Sequence, residues 1–392
     1  MIYLDHHATT PVDRRVLEVM QPYFTTMFGN PASRTHRAGW DAAEAVERAR
    51  KQMAALTGAS ARDIVFTSGA TESNYLAIAG VAAVTPPERR HAVTVATEHM
   101  AVLDVFAQLA ADGWTVTVLP VGASGLLDPD DLGRALTPRT SLVSVMVANN
   151  EIGVLQPVAD ITRLAHAQGA LVHTDAAQAL GRTRLDVRAL DVDLASFSAH
   201  KVYGPKGVGA LYVKRGVESR LRAPMRGGGQ ERGLRGGTLN VPGIAGFGAA
   251  CEMARQELDA EAERLGGLRD RLWQGLQELV GGVSLNGAMS PRLPGNLNVT
   301  FADVDGEALL LALTDVAVSS GSACATSEPS HVLTSLGRTA SDALASLRFG
   351  LGRGTKPEDI DRAASHVADV VTYLRASSPR WQLARPARSA ER

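Results

Sequence analysis

Lysine is scarce in this chain of 392 residues: only five of its forty basic residues are lysine, the rest being arginine. Chemistry that needs a neutral amine therefore has few candidates. Cysteine is scarcer still, with Cys251 and Cys324 alone. Two thiols cannot build a disulfide framework or fill a zinc site by themselves, so each is judged singly. Aromatic residues make up 5% of the chain, and no apolar run approaches the roughly 18 residues that read as a membrane span. Neither sign of charge is in excess, with 40 basic against 41 acidic residues. No whole-protein field draws the chain to nucleic acid or a membrane surface, which leaves small-molecule chemistry. The opening Met1-Ile2-Tyr3-Leu4-Asp5 lacks the basic stretch and apolar region of a secretory signal, so a cytoplasmic protein is expected.

What the chain does have is a repeating alternation of amphipathic helical stretches with short apolar runs. The runs are Ile64 to Phe66, Ala92 to Thr97, Thr115 to Leu119, Leu142 to Val147, Leu171 to Thr174 and Val192 to Phe197. Runs apolar throughout imply strands covered on both faces, and helical crossovers imply a mainly parallel sheet. Gly207 to Val213 follows its predecessor after a turn too short for a parallel crossover, so this seventh strand is expected to be antiparallel. After the glycine-rich stretch Arg226 to Gly237 come helical segments, of which Glu252 to Val280 is expected to be the longest. The pattern predicts an α/β protein with a large domain over residues 12–255. Residues 1–11 and 256–376 are assigned to a smaller α+β domain and 377–392 to a loose tail.

Among the lysines, Lys201 stands out. It follows the apolar run ending at Phe197 through Ser198-Ala199-His200, at a strand's C-terminal edge, where open α/β sheets build their sites. A lysine there suits a carbonyl cofactor such as pyridoxal 5′-phosphate, which also needs a phosphate cradle and an acid facing its ring nitrogen. Ser68-Gly69-Ala70-Thr71 lies between a strand and a helix, where backbone N–H groups meet a phosphate. Taken alone, that turn also reads as an ordinary helix cap. Asp175 ends the run from Leu171 and precedes Gln178. An acid after a buried strand is more often structural or metal-binding than a partner for a ring nitrogen. His6-His7 suggests a metal, but no set of carboxylates or thiols completes it. The Arg-Gly-Gly triplets at 226–228 and 235–237 are too few for an RNA-binding tail.

Nine motifs in order resemble the cysteine desulfurases of the class V aminotransferase group. They are YLDHHATTP from Tyr3, GNPASRTH from Gly29, FTSGATES from Phe66, ATEH from Ala96, NNEIG from Asn149, HTDAAQ from His173, SFSAHKVYGPKGVGALY from Ser196, GGGQERGLRGGT from Gly227 and SSGSAC from Ser319. The last points to the group I, iron–sulfur-cluster type. The resemblance implies the fold-type-I aminotransferase architecture, with a mainly parallel seven-stranded sheet, and pyridoxal phosphate as cofactor. It implies that Lys201 binds that cofactor covalently and moves the substrate's Cα proton, and that His99 stacks on the ring. By the same resemblance Asp175 pairs with the ring nitrogen and Gln178 with the phenolic oxygen. Ala70, Thr71, Ser198 and His200 hold the phosphate, while Thr238 reaches the phosphate of a second copy, which makes a homodimer. Asn30, Asn150 and Arg348 hold the substrate carboxylate, with Asn150 also at the cofactor. A guanidinium suits that task through its planar fork.

The resemblance makes Cys324 the nucleophile that takes sulfur from L-cysteine as a persulfide and leaves alanine. The residues before it, Ser320 to Ala323, carry no apolar anchor and read as a loop able to move. Cys251, among Gly248, Ala249 and Ala250, reads as a buried, inert thiol. Three departures from the family pattern stand out: a loop after Cys324 about two residues short, Met100 where a lysine is common, and a short arginine-bearing tail after Trp381. They leave the sulfur-acceptor protein open, an iron–sulfur scaffold or a tRNA-thiolation protein being the two kinds expected. Selenocysteine lyase and other class V lyase or aminotransferase activities are the alternatives. Those that need no protein thiol fit poorly with Cys324.

Overall fold

The structure, a computed structural model, describes residues 1–320 and 328–376. Seven strands form its central sheet: β1 (Ile64–Thr67), β2 (His91–Val95), β3 (Thr115–Leu119), β4 (Thr140–Ser144), β5 (Leu171–Asp175), β6 (Leu194–Ser198) and β7 (Gly209–Val213). Their order is β1-β7-β6-β5-β4-β2-β3. Only β7 runs antiparallel to its neighbours, with Leu194 facing Val213 and Ser198 facing Gly209. The short turn after Lys201 dictated that direction. Every residue of six of these strands is buried, including the edge strand β1, and only β3, at the opposite edge, is partly exposed.

Helices cover both faces, as the all-apolar strands require. On one face lies α1 (Arg37–Thr57), whose Ala42, Ala45, Val46, Ala49 and Met53 recur at helical spacing and are buried. On the other face α2 (Ala70–Ala82) and α3 (Met100–Ala111) pack through Leu76, Ile78, Val102 and Phe106. The longest helix, α4, runs from Val241 to Leu279, eleven residues earlier than the expected start at Glu252. Its first half is apolar on every side and carries glycines, so it offers no amphipathic stripe to read. Gly248 is needed there, since a Cβ would lie 2.4 Å from the Cα of Ala49 where α1 and α4 cross.

The same helix passes without a break through residue 255, where the sequence placed a domain boundary. Ala254 belongs to the core beneath the large sheet. Leu265, Leu268, Leu272 and Leu276 belong to a second core with Ile2, Leu4, Leu297, Phe349 and Val371. That second core lies on a three-stranded antiparallel sheet, β8 (Val283–Leu285), β9 (Asn296–Phe301) and β10 (Ser346–Gly350), in the order β10-β9-β8. Helix α5 (Pro357–Ala376) covers it. A two-residue strand, Val316–Ala317, pairs in parallel with Ile2–Tyr3. Strands β8 and β10 were not expected from the sequence. No helix among the described residues is long and apolar enough to cross a membrane.

Candidate active site

The C-terminal ends of β1, β2, β5 and β6 converge on one cleft of about 570 Å³. This is where a parallel sheet presents helix N-termini and free loop backbone. Ser68, Gly69, Ala70, Thr71, His99, Asn150, Asp175, Gln178, Ser198, His200, Lys201 and Arg348 all line it. Residues spread over 280 positions thus meet in one place.

Lys201 is tethered rather than loose. Its Nζ donates to the carbonyls of His7 at 2.6 Å and Ala8 at 2.8 Å. Burial, then the charges of Arg182 and Arg348, push the amine down to about 7, against a smaller upward pull from Asp175 and Asp5. An amine there exists in both protonation states near neutrality, as a nucleophile or general base requires. Asp175, at the end of β5, accepts from Asn74 Nδ2 at 2.8 Å and from the Ala177 N–H at 2.9 Å. Beside it Glu98 is fully buried; burial and the Asp175 charge hold its carboxyl well above the usual range.

His99 caps α3, its Nδ1 accepting from the Ala101 N–H at 3.0 Å, so the neutral ring carries its proton on Nε2. The ring is open to the cleft, while the surrounding protein mass lowers its basicity. The His200 imidazole is pushed down to about 4 by burial and the Lys201 charge, and faces the Thr9 hydroxyl at 3.1 Å. Gln178 donates to the His7 carbonyl at 2.9 Å. Arg348, on β10, is buried and donates to the Asn150 carbonyl and to Asp5 Oδ1, each at 2.9 Å.

The turn before α2 is shaped for an anion. Gly69 is its N-cap, and a Cβ there would meet no protein atom within 4 Å, so open space faces the helix N-terminus. On its other side the turn is tightly backed: a Cβ on Gly209 would lie 2.6 Å from the Gly69 Cα. Glu72 takes the Ser68 N–H at 2.6 Å and pairs with Arg235 at 2.9 Å, fixing the turn to the glycine-rich stretch. These observations fit pyridoxal phosphate: an amine for its carbonyl, a carboxylate for its ring nitrogen, and a helix N-terminus with room for its phosphate.

Two of the expected residues lie elsewhere. Asn30 is exposed outside the cleft, closing a turn by accepting from the Ala32 N–H at 2.9 Å. Thr238 is also exposed and away from it. Cys324 lies outside the described residues, as does the shortened stretch after it and the tail from 377. Both flanks of that stretch do reach the site. Ser319 accepts from the Arg348 N–H at 2.7 Å, Ser330 donates to Glu151 Oε2 at 2.5 Å, and His331 Nε2 donates to the Glu98 carbonyl at 2.9 Å. Cys251 is buried, and burial raises its thiol far from reactivity.

Sequence reasoning missed Asn74, Glu98, Glu151, Arg182 and His331, and it weighed His7 only as a metal ligand. Asn74 lies one helical turn past the phosphate turn, and Glu98 directly precedes His99, but neither signals contact with Asp175 without the fold.

Residues 2–363 match the family Aminotransferase class-V. The cysteine desulfurase IscS of Anaeromyxobacter dehalogenans is 54% identical over 384 residues, covering 97% of this chain and 95% of the relative. A NifS-like protein superposes with a TM-score of 0.89 at 38% identity, over 95% of this chain and all of that one. A structure of SspA in complex with cysteine gives a TM-score of 0.81 at 37% identity, over 90% of this chain and 99% of that one.

Proposed function

Because the chain belongs to the class-V aminotransferase family and within it to the cysteine desulfurases, we propose that its cleft binds pyridoxal 5′-phosphate and L-cysteine in the manner its residues permit. The observation that carries this reading is that the Lys201 amine, the Asp175 carboxylate, the His99 ring and the Arg348 guanidinium open on one cleft beside the Gly69 turn. Lys201 holds the cofactor covalently, Asp175 faces its ring nitrogen, and Gln178 its phenolic oxygen. His99 stacks on the ring, and Ala70, Thr71, Ser198 and His200 surround its phosphate. When bound, pyridoxal phosphate supplies an electron sink for the pair left at the substrate Cα.

Arg348 orients the substrate through its carboxylate, and Asp5 and the Asn150 carbonyl hold that guanidinium ready. Lys201, with an amine that both takes and gives a proton near neutral pH, removes the Cα proton. The Cys324 thiolate then attacks the substrate sulfur. An S–S bond forms, the Cβ–S bond breaks, and protonation of the remaining three-carbon skeleton yields alanine. The position of Ser319, Ser330 and His331 at the cleft supports that delivery. The persulfide sulfur passes on to an acceptor protein of iron–sulfur assembly or tRNA thiolation in the cytoplasm. The exposure of Thr238, away from its own cleft, supports its serving the phosphate of a second copy in a homodimer.

The test is L-cysteine turnover by wild type and Cys324→Ala, quantifying alanine and sulfide with and without dithiothreitol. Matched alanine and sulfide from wild type, with neither from a variant that still binds cofactor, is the expected result. Normal turnover by Cys324→Ala would remove Cys324 from the mechanism.

A further inference from the structure

Arg182 lies four residues beyond Gln178, lines a small pocket with His7 and Lys201 outside the cleft itself, and belongs to no motif role. Its guanidinium reaches four groups: the His6 carbonyl at 2.5 Å, the Lys201 carbonyl at 3.1 Å, Gln178 Oε1 at 3.3 Å and the His7 ring at Nδ1. None of the four carries a formal negative charge. A partly buried guanidinium held by these uncharged acceptors keeps more of its field than one hydrogen-bonded to a carboxylate, and Glu261, the carboxylate that acts on Arg182, is itself paired with Arg353.

These contacts tie together the three parts that locate the lysine amine. His6 and His7 belong to the N-terminal segment whose carbonyls, at His7 and Ala8, receive Nζ. The Lys201 carbonyl fixes the lysine's own backbone, and Gln178 is itself bonded to the His7 carbonyl. We propose that Arg182 is a positioning residue for Lys201. It sets the N-terminal segment as the receiving site for the free lysine amine, and its positive charge on that side keeps the amine ready to give up its proton. The inference rests on Lys201 being the residue that carries the amine chemistry.

The two carbonyls and the guanidinium act in opposite senses. Carbonyl oxygens favour the ammonium, and a cation beside it favours the neutral amine. Lys201 is faced by two guanidinium groups, Arg182 and Arg348, two carboxylates, Asp175 and Asp5, and the imidazoles of His7, His99 and His200. Arg348 is ion-paired directly with Asp5, whereas Glu261, the carboxylate that acts on Arg182, pairs with Arg353 instead, so the field of Arg182 reaches the lysine less diminished than that of Arg348.

The experiment is pH-dependent labelling of Lys201 with an amine-specific reagent on the full-length, cofactor-stripped chain, read by peptide mass spectrometry. It is run on wild type, Arg182→Gln and Arg182→Lys, beside a pH titration of the holoenzyme's visible absorption. In wild type, Lys201 labels with a midpoint well below that of Lys51, an exposed internal control. Arg182→Gln, which keeps a donor but drops the charge, moves the midpoint up by about one pH unit or more, and Arg182→Lys moves it by only a few tenths. An unchanged midpoint in Arg182→Gln, or an equal shift in Arg182→Lys, overturns the proposal. So does a wild-type Lys201 that labels like Lys51, whether or not a variant folds. Labelling needs no pyridoxal phosphate, so a failure of the cofactor reading would appear separately, as wild-type protein without visible absorption.

Discussion

Replacing Asp175 by asparagine separates charge from structure in the cleft. The carboxylate accepts one hydrogen bond on each oxygen, from Asn74 Nδ2 and from the Ala177 N–H. In the variant the amide oxygen keeps the Ala177 bond, and its NH₂ would meet the Asn74 NH₂. Asn74 can resolve that by turning its own amide over, because its Oδ1 is buried without a partner. The loss is then at most one neutral hydrogen bond, about 1 kcal/mol. The fixed negative charge disappears outright, and losing one such preorganised interaction costs about a hundred- to a thousandfold in kcat. The assay is alanine formation from L-cysteine well below the melting temperature, with thermal denaturation of both proteins alongside. A rate within fivefold of wild type at unchanged stability refutes the role given to Asp175. A stability loss near 3 kcal/mol refutes the amide-flip argument instead.

Gly69→Ala should leave thermal stability nearly unchanged, since its Cβ meets no protein atom within 4 Å, yet weaken pyridoxal phosphate binding at least tenfold by equilibrium titration. Glu231→Ala should cost about 3 kcal/mol in denaturant unfolding, because it takes the two-point carboxylate partner from buried Arg50, leaving it Glu47 and the Ile64 carbonyl, and removes the acceptor of the Phe66 N–H. His173 is fully buried between the Ser144 and Ser196 hydroxyls, and burial pushes it down to about 4. Below the unfolded histidine's value near 6.5 the unfolded chain binds a proton that the folded one refuses. Stability should therefore fall as pH drops from about 6.5 to 4, by roughly 3 kcal/mol from this residue, and His173→Gln should flatten that limb of a melting-temperature profile.

Much of the site was legible before any fold. A lysine three residues past a buried strand, a small-residue turn between strand and helix, and an acid closing an apolar run each state their chemistry in residue type and local position. Strand edges in α/β sheets then bring such residues together by construction. The antiparallel β7 was equally local, dictated by the length of one turn. The sequence was weaker elsewhere: the first half of α4 is apolar all round and so has no periodic stripe, β8 spans three residues, and β10 is a five-residue strand with Arg348 between its buried Leu347 and Phe349.

Only the tertiary structure decided what surrounds the reactive groups. Hydrogen bonds from Lys201 to carbonyls 193 and 194 residues away, Glu98 beside Asp175, and Arg182 among uncharged oxygens depend on long-range packing. Nothing in local spacing encodes those contacts. Residue type and position along a strand determine which groups can react. The field and desolvation that set their protonation come from atoms distant in sequence, and chain folding alone places those atoms.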